Sequence, residues 1–226
     1  KLNTMQVCVY CASSAKIDSN YFDATSKLAK EFVLLDNFYV DAEVSADGHN
    51  WSMGAYATDF LEKTWPTSYG RRGGQNDGLG RRTVANNKDG FIWDLCKRQG
   101  VSFRTYGVFA DGPQGNIPVL DADHVSSTFT GYYDQKVKDV DRFEQWKTDF
   151  DGLIAKNAVP QLNTIRLGAD HTQGLAIGKP TPYACVADND EAVGKLIEHI
   201  SNSSIWAQSA IFILEDDAQN GPDHVD

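Results

Sequence analysis

The sequence predicts an α/β protein, a mostly parallel sheet flanked by helices. Three observations lead there. Short β-prone apolar runs alternate along the chain with stretches of helical periodicity. The helical stretches repeat their apolar residues at helical spacing behind capping-type residues. Residues 210–214 (AIFIL) form a continuous apolar run, the pattern of a strand buried on both faces.

Taken in order, residues 5–11 (MQVCVYC) are the first strand, followed by the small polar loop ASSAKIDSN and a helical pattern carrying Phe22, Leu28 and Ala29. FVLLDNFYV (32–40) is strand-like again. It leads through DAEVSADGHNWSMGA into a helix that begins near Ser52 and turns Ala57, Phe60 and Leu61 inward, with Asp47 and His49 just ahead of it. Residues 66–90 contain six glycines and no apolar period, so they form a long irregular loop. A helix over 91–99 sets Ile92, Leu95 and Cys96 on one face and stops at Gly100, a good left-handed terminator. The strand VSFRTYGVF (101–109) follows, and 111–140 are mixed and polar.

Asp141 and Glu144 read as a capping-box pair for a helix with Phe143, Trp146, Phe150, Leu153 and Ile154 on its core face. The strand LNTIRL (162–167) then delivers Gly168-Ala169-Asp170-His171 at its carboxyl end. After the loop GKPTPYACVA, Asp188 and Glu191 cap a helix carrying Val193, Leu196, Ile197 and Ile200. The last strand, 210–214, runs straight into Glu215, Asp216 and Asp217.

The chain has 226 residues, of which 41% are hydrophobic and 11% aromatic, enough for one compact domain with a full core. It carries 21 Lys+Arg against 31 Asp+Glu, a net charge of −10, and that field repels nucleic acid and anionic membranes wherever no basic patch overcomes it. Only Arg71/Arg72 and Arg81/Arg82 offer such a patch, so no nucleic-acid partner is expected. No window approaches the ~18 uninterrupted apolar residues a spanning helix needs and no basic-then-apolar run stands at the start, so neither a transmembrane segment nor a signal peptide is expected in this stretch. Starting at Lys1 and stopping at Asp226 within a polar run, the chain reads as a piece of a longer protein, incomplete at both ends. Cysteines 8, 11, 96 and 185 are too few and too unevenly spaced for a disulfide scaffold.

In a parallel sheet, the carboxyl ends of the strands share one edge, where ligands bind. Asp47-Gly48-His49, Asp170-His171, and Glu215-Asp216-Asp217 with His224 would therefore converge there from distant parts of the chain. Three carboxylates directly after a buried strand repel one another and raise at least one pKa unless a cation neutralises them. Asp and His together suit zinc, manganese or iron. DDAQNGPDH fails as a calcium loop, because Ala218 stands where the third ligand belongs. His199 reads as a solvated or packing residue and His124 has no assigned place. The chain lacks a Walker A sequence, a nucleophile-elbow Gly-x-Ser-x-Gly and a dinucleotide Gly-x-Gly-x-x-Gly.

Four stretches, LLDNFYVDAEVSADGHNWSMGAYATDFLEKTWPTSYG, GADHT, PTPYACVADND and SAIFILEDDAQNGPDHVD, carry a resemblance over residues 32–226 to the bacterial phosphoesterases of the alkaline-phosphatase superfamily, which include acid phosphatases and phospholipase C-type enzymes. The resemblance implies an alkaline-phosphatase-like α/β domain that hydrolyses small-molecule phosphate esters with a divalent metal. Zinc is the first choice, with manganese, iron or calcium as the others. It also implies metal ligation by Asp216, Asp217 and His224, with Asp170 beside them, and places His171 in the site. His49 is a further catalytic candidate, and Arg71 and Arg72 candidate phosphate binders.

The Glu-Asn-Arg-Ser/Thr motif that supplies that family's nucleophile is absent, so impaired hydrolysis is expected. Residues 5–31 instead resemble the amino-terminal strand, loop and helix of the lysine-decarboxylase-like nucleotide phosphoribohydrolases, which makes residues 1–31 a strand-loop-helix module of different origin from 32–226. That family's Pro-Gly-Gly-x-Gly-Thr-x-x-Glu signature is missing too. If the first strand occupies the missing strand's place, Ser13 or Ser14 would stand near the metal at a helix amino terminus, where phosphate binds well. The rival expectations are a nucleotide-binding or nucleotide-cleaving protein using the CVYCASS loop, and a non-catalytic module. The larger part implies an extracytoplasmic or periplasmic home, whereas the amino-terminal module resembles cytosolic proteins.

Overall fold

A computed structural model describes the backbone of residues 5–10, and residues 32–33, 42–68, 72, 78–131 and 136–217. Its elements are β1 (Met5–Tyr10), α1 (Ser45–Gly54), α2 (Asp59–Ser68), α3 (Ile92–Gln99), β2 (Phe103–Tyr106), α4 (Asp139–Ala155), β3 (Leu162–Arg166), α5 (Pro182–Ser201) and β4 (Ser209–Leu214). The four strands form one sheet in the order β2-β3-β1-β4, and every neighbouring pair is parallel. This is the α/β class the alternation predicts. β1 lies in the middle, with Tyr10 opposite Arg166 of β3 on one side and Leu214 of β4 on the other.

Side-chain alternation along the strands splits the core into two layers, one on each face of the sheet. On one face Tyr106, Ile165, Leu167 and Ile211 pack against Trp146 and Phe150 of α4 and Leu196 and Ile200 of α5. On the other, Phe103, Leu162 and Leu214 meet Trp93 and Cys96 of α3, Met53 of α1 and the loop residues Val108, Phe109 and Leu120. Trp93 and Tyr106 are wholly buried and Trp146 nearly so. Truncating a buried aromatic of this kind to Ala costs about 3–5 kcal/mol. Among the described residues no helix is long and apolar enough to cross a membrane.

The structure departs from several sequence expectations. α1 begins at Ser45, so Asp47 and His49 lie inside the helix, not ahead of it. Two short helices, broken by a left-handed Ala55 (φ 65°), replace the one expected there. In α3 the buried face carries Trp93 and Cys96, while Leu95 is exposed. α4 starts at Asp139, ahead of the expected Asp141–Glu144 capping box. α5 starts at Pro182, capped by Thr181, whose hydroxyl accepts from the Ala184 N–H at 3.3 Å. Pro is at home in the first helical turn because its missing N–H would have no partner there anyway. Among the described strands β4 lies at the edge, and Phe212 and Ile213 are 53% and 48% exposed instead of buried. The strand expected over 32–40 and the helix carrying Phe22 and Leu28 fall outside the described residues, apart from Phe32 and Val33, which are not in a strand.

Candidate functional site

The carboxyl ends of β3 and β4 and the first turns of α1 meet at one rim of the sheet. Gly48 makes the approach of α1 possible. A Cβ on Gly48 would lie 1.5 Å from the Asp216 carbonyl oxygen, so no larger residue fits this contact without moving the helix. One residue on, the fully buried His49 brings Nε2 to 3.0 Å from Asp216 Oδ2. Its ring stands edge-on to Phe109, 6.4 Å between centroids. Arg166, the last residue of β3 and only 6% exposed, places Nη2 3.9 Å from the same carboxylate oxygen.

Burial favours the neutral form of Asp216, but the charge and hydrogen bond of His49 and the charge of Arg166 outweigh it and hold this carboxyl well below the usual range. Burial, followed by the repulsion of Arg166, lowers His49 below its ordinary value, against the opposing pull of Asp216. Asp216 is thus a carboxylate set against an imidazole at 3.0 Å and a guanidinium at 3.9 Å.

Its neighbours differ. Asp217 accepts a hydrogen bond from Ser45 Oγ at 2.7 Å, yet burial and the charge of Asp216 raise it to about 6. Asp170 sits in a short 3-10 turn, Ala169–His171, directly after β3, and is 3% exposed. Among the described residues neither of its carboxylate oxygens has a hydrogen-bond partner within ordinary geometry, and the His171 N–H is the contact that favours its charged form. Burial first, then the charges of Asp139, Asp216 and Glu215, push it up to about 9. His171 is exposed, with Nδ1 3.2 Å from the Thr172 carbonyl, and its charge acts favourably on Asp217.

The charge of Asp216 thus acts on both Asp170 and Asp217, with His49 against Asp216 and His171 at the rim. Asp47 has a different task. Its Oδ1 accepts the Val44 N–H at 3.2 Å, closing the amino terminus of α1, and burial raises its carboxyl to about 6. Arg72 is exposed and donates to the Pro66 carbonyl at 2.7 Å, Arg81 forks onto Asp111 Oδ2 at 2.9 and 3.2 Å, and Arg82 lies over the Phe60 ring. His199 pairs with Asp151 at 2.6 Å against the rings of Phe143, Trp146 and Phe150, a packing role as expected. His124 pairs with Asp121 and stacks on Phe103. Ser13, Ser14, Arg71 and His224 lie outside the described residues.

Sequence reasoning missed Arg166, Ser45 and a buried group formed by Asp139, Arg142 and Asn189. A signal existed for Arg166, a cation inside the otherwise apolar and neutral strand LNTIRL. None existed for Asn189, one polar residue among several in ADNDE.

Fold and site together define an α/β protein with a buried acidic cluster, partly balanced by a guanidinium and an imidazole, at the carboxyl rim of a parallel sheet. No protein-family model matches the chain, and neither does any curated protein.

Proposed function

We propose that this chain is a domain of a metal-dependent phosphate-ester hydrolase of alkaline-phosphatase type. The observation that carries this reading is Asp170, a carboxylate 3% exposed with both oxygens lacking a proper partner among the described residues, in reach of the charges of Asp139, Asp216 and Glu215. Buried like charges of this density call for a cation or a proton.

The donor set fits a divalent metal in part. Asp170 and Asp217 offer carboxylate oxygens at this rim, and His171 an imidazole. His224 is the further ligand proposed from the sequence. Among the described residues, no three of these ligand types stand close enough to hold an ion between them. A bound zinc or manganese ion would supply Lewis-acid polarisation of a phosphoryl oxygen. Arg166 and His49 fix Asp216 and set the local charge. β1, central in the sheet between the two strands that carry these residues, supports the proposal that the Ser13/Ser14 segment following Tyr10 reaches the same rim and provides the attacking hydroxyl.

The test is metal content together with hydrolysis. The purified chain is expected to bind zinc or manganese and to release p-nitrophenol from p-nitrophenyl phosphate only while metal is present. A correctly folded chain that binds neither metal overturns the reading. That result would favour a non-catalytic module, which the existing neutralisation of Asp216 by Arg166 and His49 also supports.

A further inference from the structure

Asp139 opens α4 and is wholly buried. Its carboxylate is saturated. Oδ1 accepts Arg142 Nη1 at 2.8 Å and the Gly168 N–H at 3.3 Å, while Oδ2 accepts the Ala169 N–H at 2.7 Å and Asn189 Nδ2 at 2.9 Å. The Asp139 N–H in turn donates to Asp188 Oδ2 at 2.6 Å. Arg142, 1% exposed, is tied down on its other side by the carbonyls of Thr130, Gly131 and Val137. One carboxylate thus joins the start of α4, the middle of α5 and the two peptide groups that lead into Asp170.

A merely structural staple does not account for this arrangement well. α4 and α5 already share an apolar interface built on Phe143, Trp146, Phe150, Ala192, Leu196 and Ile200. Burying an ion pair costs desolvation that apolar residues of similar size would avoid, so such pairs contribute specificity more readily than stability. What the Asp139 network specifies is the Gly168–Ala169 backbone. With those two N–H groups drawn to Asp139, the turn presents Asp170 to the rim with its oxygens lacking proper partners. Outer groups of this kind orient metal-binding carboxylates in many proteins, and their loss typically lowers metal affinity about 10–100-fold.

We propose that Asp139, held by Arg142 and Asn189, is the positioning residue of the candidate site, fixing the turn that aims the Asp170 carboxylate. This rests on the metal-hydrolase reading above. The experiment titrates the full chain with Mn2+ alone, followed by electron paramagnetic resonance, with thermal unfolding measured in parallel. Asn189→Leu is expected to lower Mn2+ affinity about tenfold or more and to alter the spectrum of the bound ion. Leu196→Ala, which opens a cavity between the same helices away from the turn, is expected to lower Tm at least as much yet keep Mn2+ affinity within about twofold. Should Asn189→Leu fail to fold, Asp188→Asn, which weakens the grip on the Asp139 N–H from a partly exposed position, is expected to shift affinity and spectrum in the same direction. Wild-type affinity and an unchanged spectrum in whichever of these variants folds overturn the positioning role alone. A wild-type chain that binds no Mn2+ overturns the metal reading, and the positioning role with it.

Discussion

Asp139 and Asp170 are both buried carboxylates, close enough that the charge of one raises the pKa of the other, and they differ in what surrounds them. Asp139 accepts bonds from a guanidinium, two peptide N–H groups and an amide, so its charge is fully accounted for. Asp170 has no well-formed partner and is pushed to about 9. The difference teaches where to look for chemistry in this fold. A satisfied buried charge organises the chain around it. An unsatisfied one is a demand that something outside the chain, a proton or a cation, can meet.

The largest test removes the support on the satisfied side. Arg142→Leu leaves Asp139 as an uncompensated buried carboxylate and is expected to lower unfolding free energy by about 3–5 kcal/mol, read from urea unfolding. A loss below about 1 kcal/mol, the scale of exposed pairs, would erase the contrast between the two carboxylates.

The second test works on the open side through pH. Burial and neighbouring charges push Asp170 from the ordinary 3.8 up to about 9, so the folded state binds the extra proton between those limits. The stability this contributes is fully present below the unfolded value and is lost as pH rises towards 9. The slope is at most roughly 1.4 kcal/mol per pH unit. Asp47 and Asp217, each raised to about 6, add the same sign only at the acidic end of that window. Metal-free protein is therefore expected to lose stability from pH 6 to pH 8, and Asp170→Asn to remove most of that loss. Equal slopes in both proteins would show that Asp170 has a partner after all.

The smallest of the three addresses the α1 side of the rim. Gly48→Ala sets a methyl group against the Asp216 carbonyl, and since backbone cannot swing aside as a flexible side chain can, α1 must shift. A cost of about 1–3 kcal/mol is expected, together with a rise in the pKa of Asp216 as His49 is drawn away from it. NMR titration of the carboxyl checks the rise. An unchanged titration would mean that Arg166 alone holds Asp216.

Much of the framework was legible in the sequence. The run LNTIRL, the periodic Phe143, Trp146 and Phe150, and Leu196 with Ile200 fall in β3, α4 and α5 with the expected burial, because one pattern of apolar spacing satisfies both local propensity and the core. α1 was misread because SADGHNWSMG has little amphipathic pattern and a central glycine. It is helical because Asp47 closes its start and Gly48 docks it on the chain leaving β4. β4 looked like an interior strand because apolar content reports tolerance of burial, whereas the order of strands decides which one lies at the edge.

By itself the sequence determined the α/β class and the parallel sense of the sheet, since these follow from residue spacing along single segments. Only the tertiary structure decided which carboxylates are satisfied and which are not. That outcome depends on Asp139 meeting Gly168, Ala169 and Asn189, and on Asp216 meeting His49 and Arg166, contacts between residues far apart in the chain. The strength of a buried charge is set by the dielectric and the partners around it, and neither is written in the local sequence.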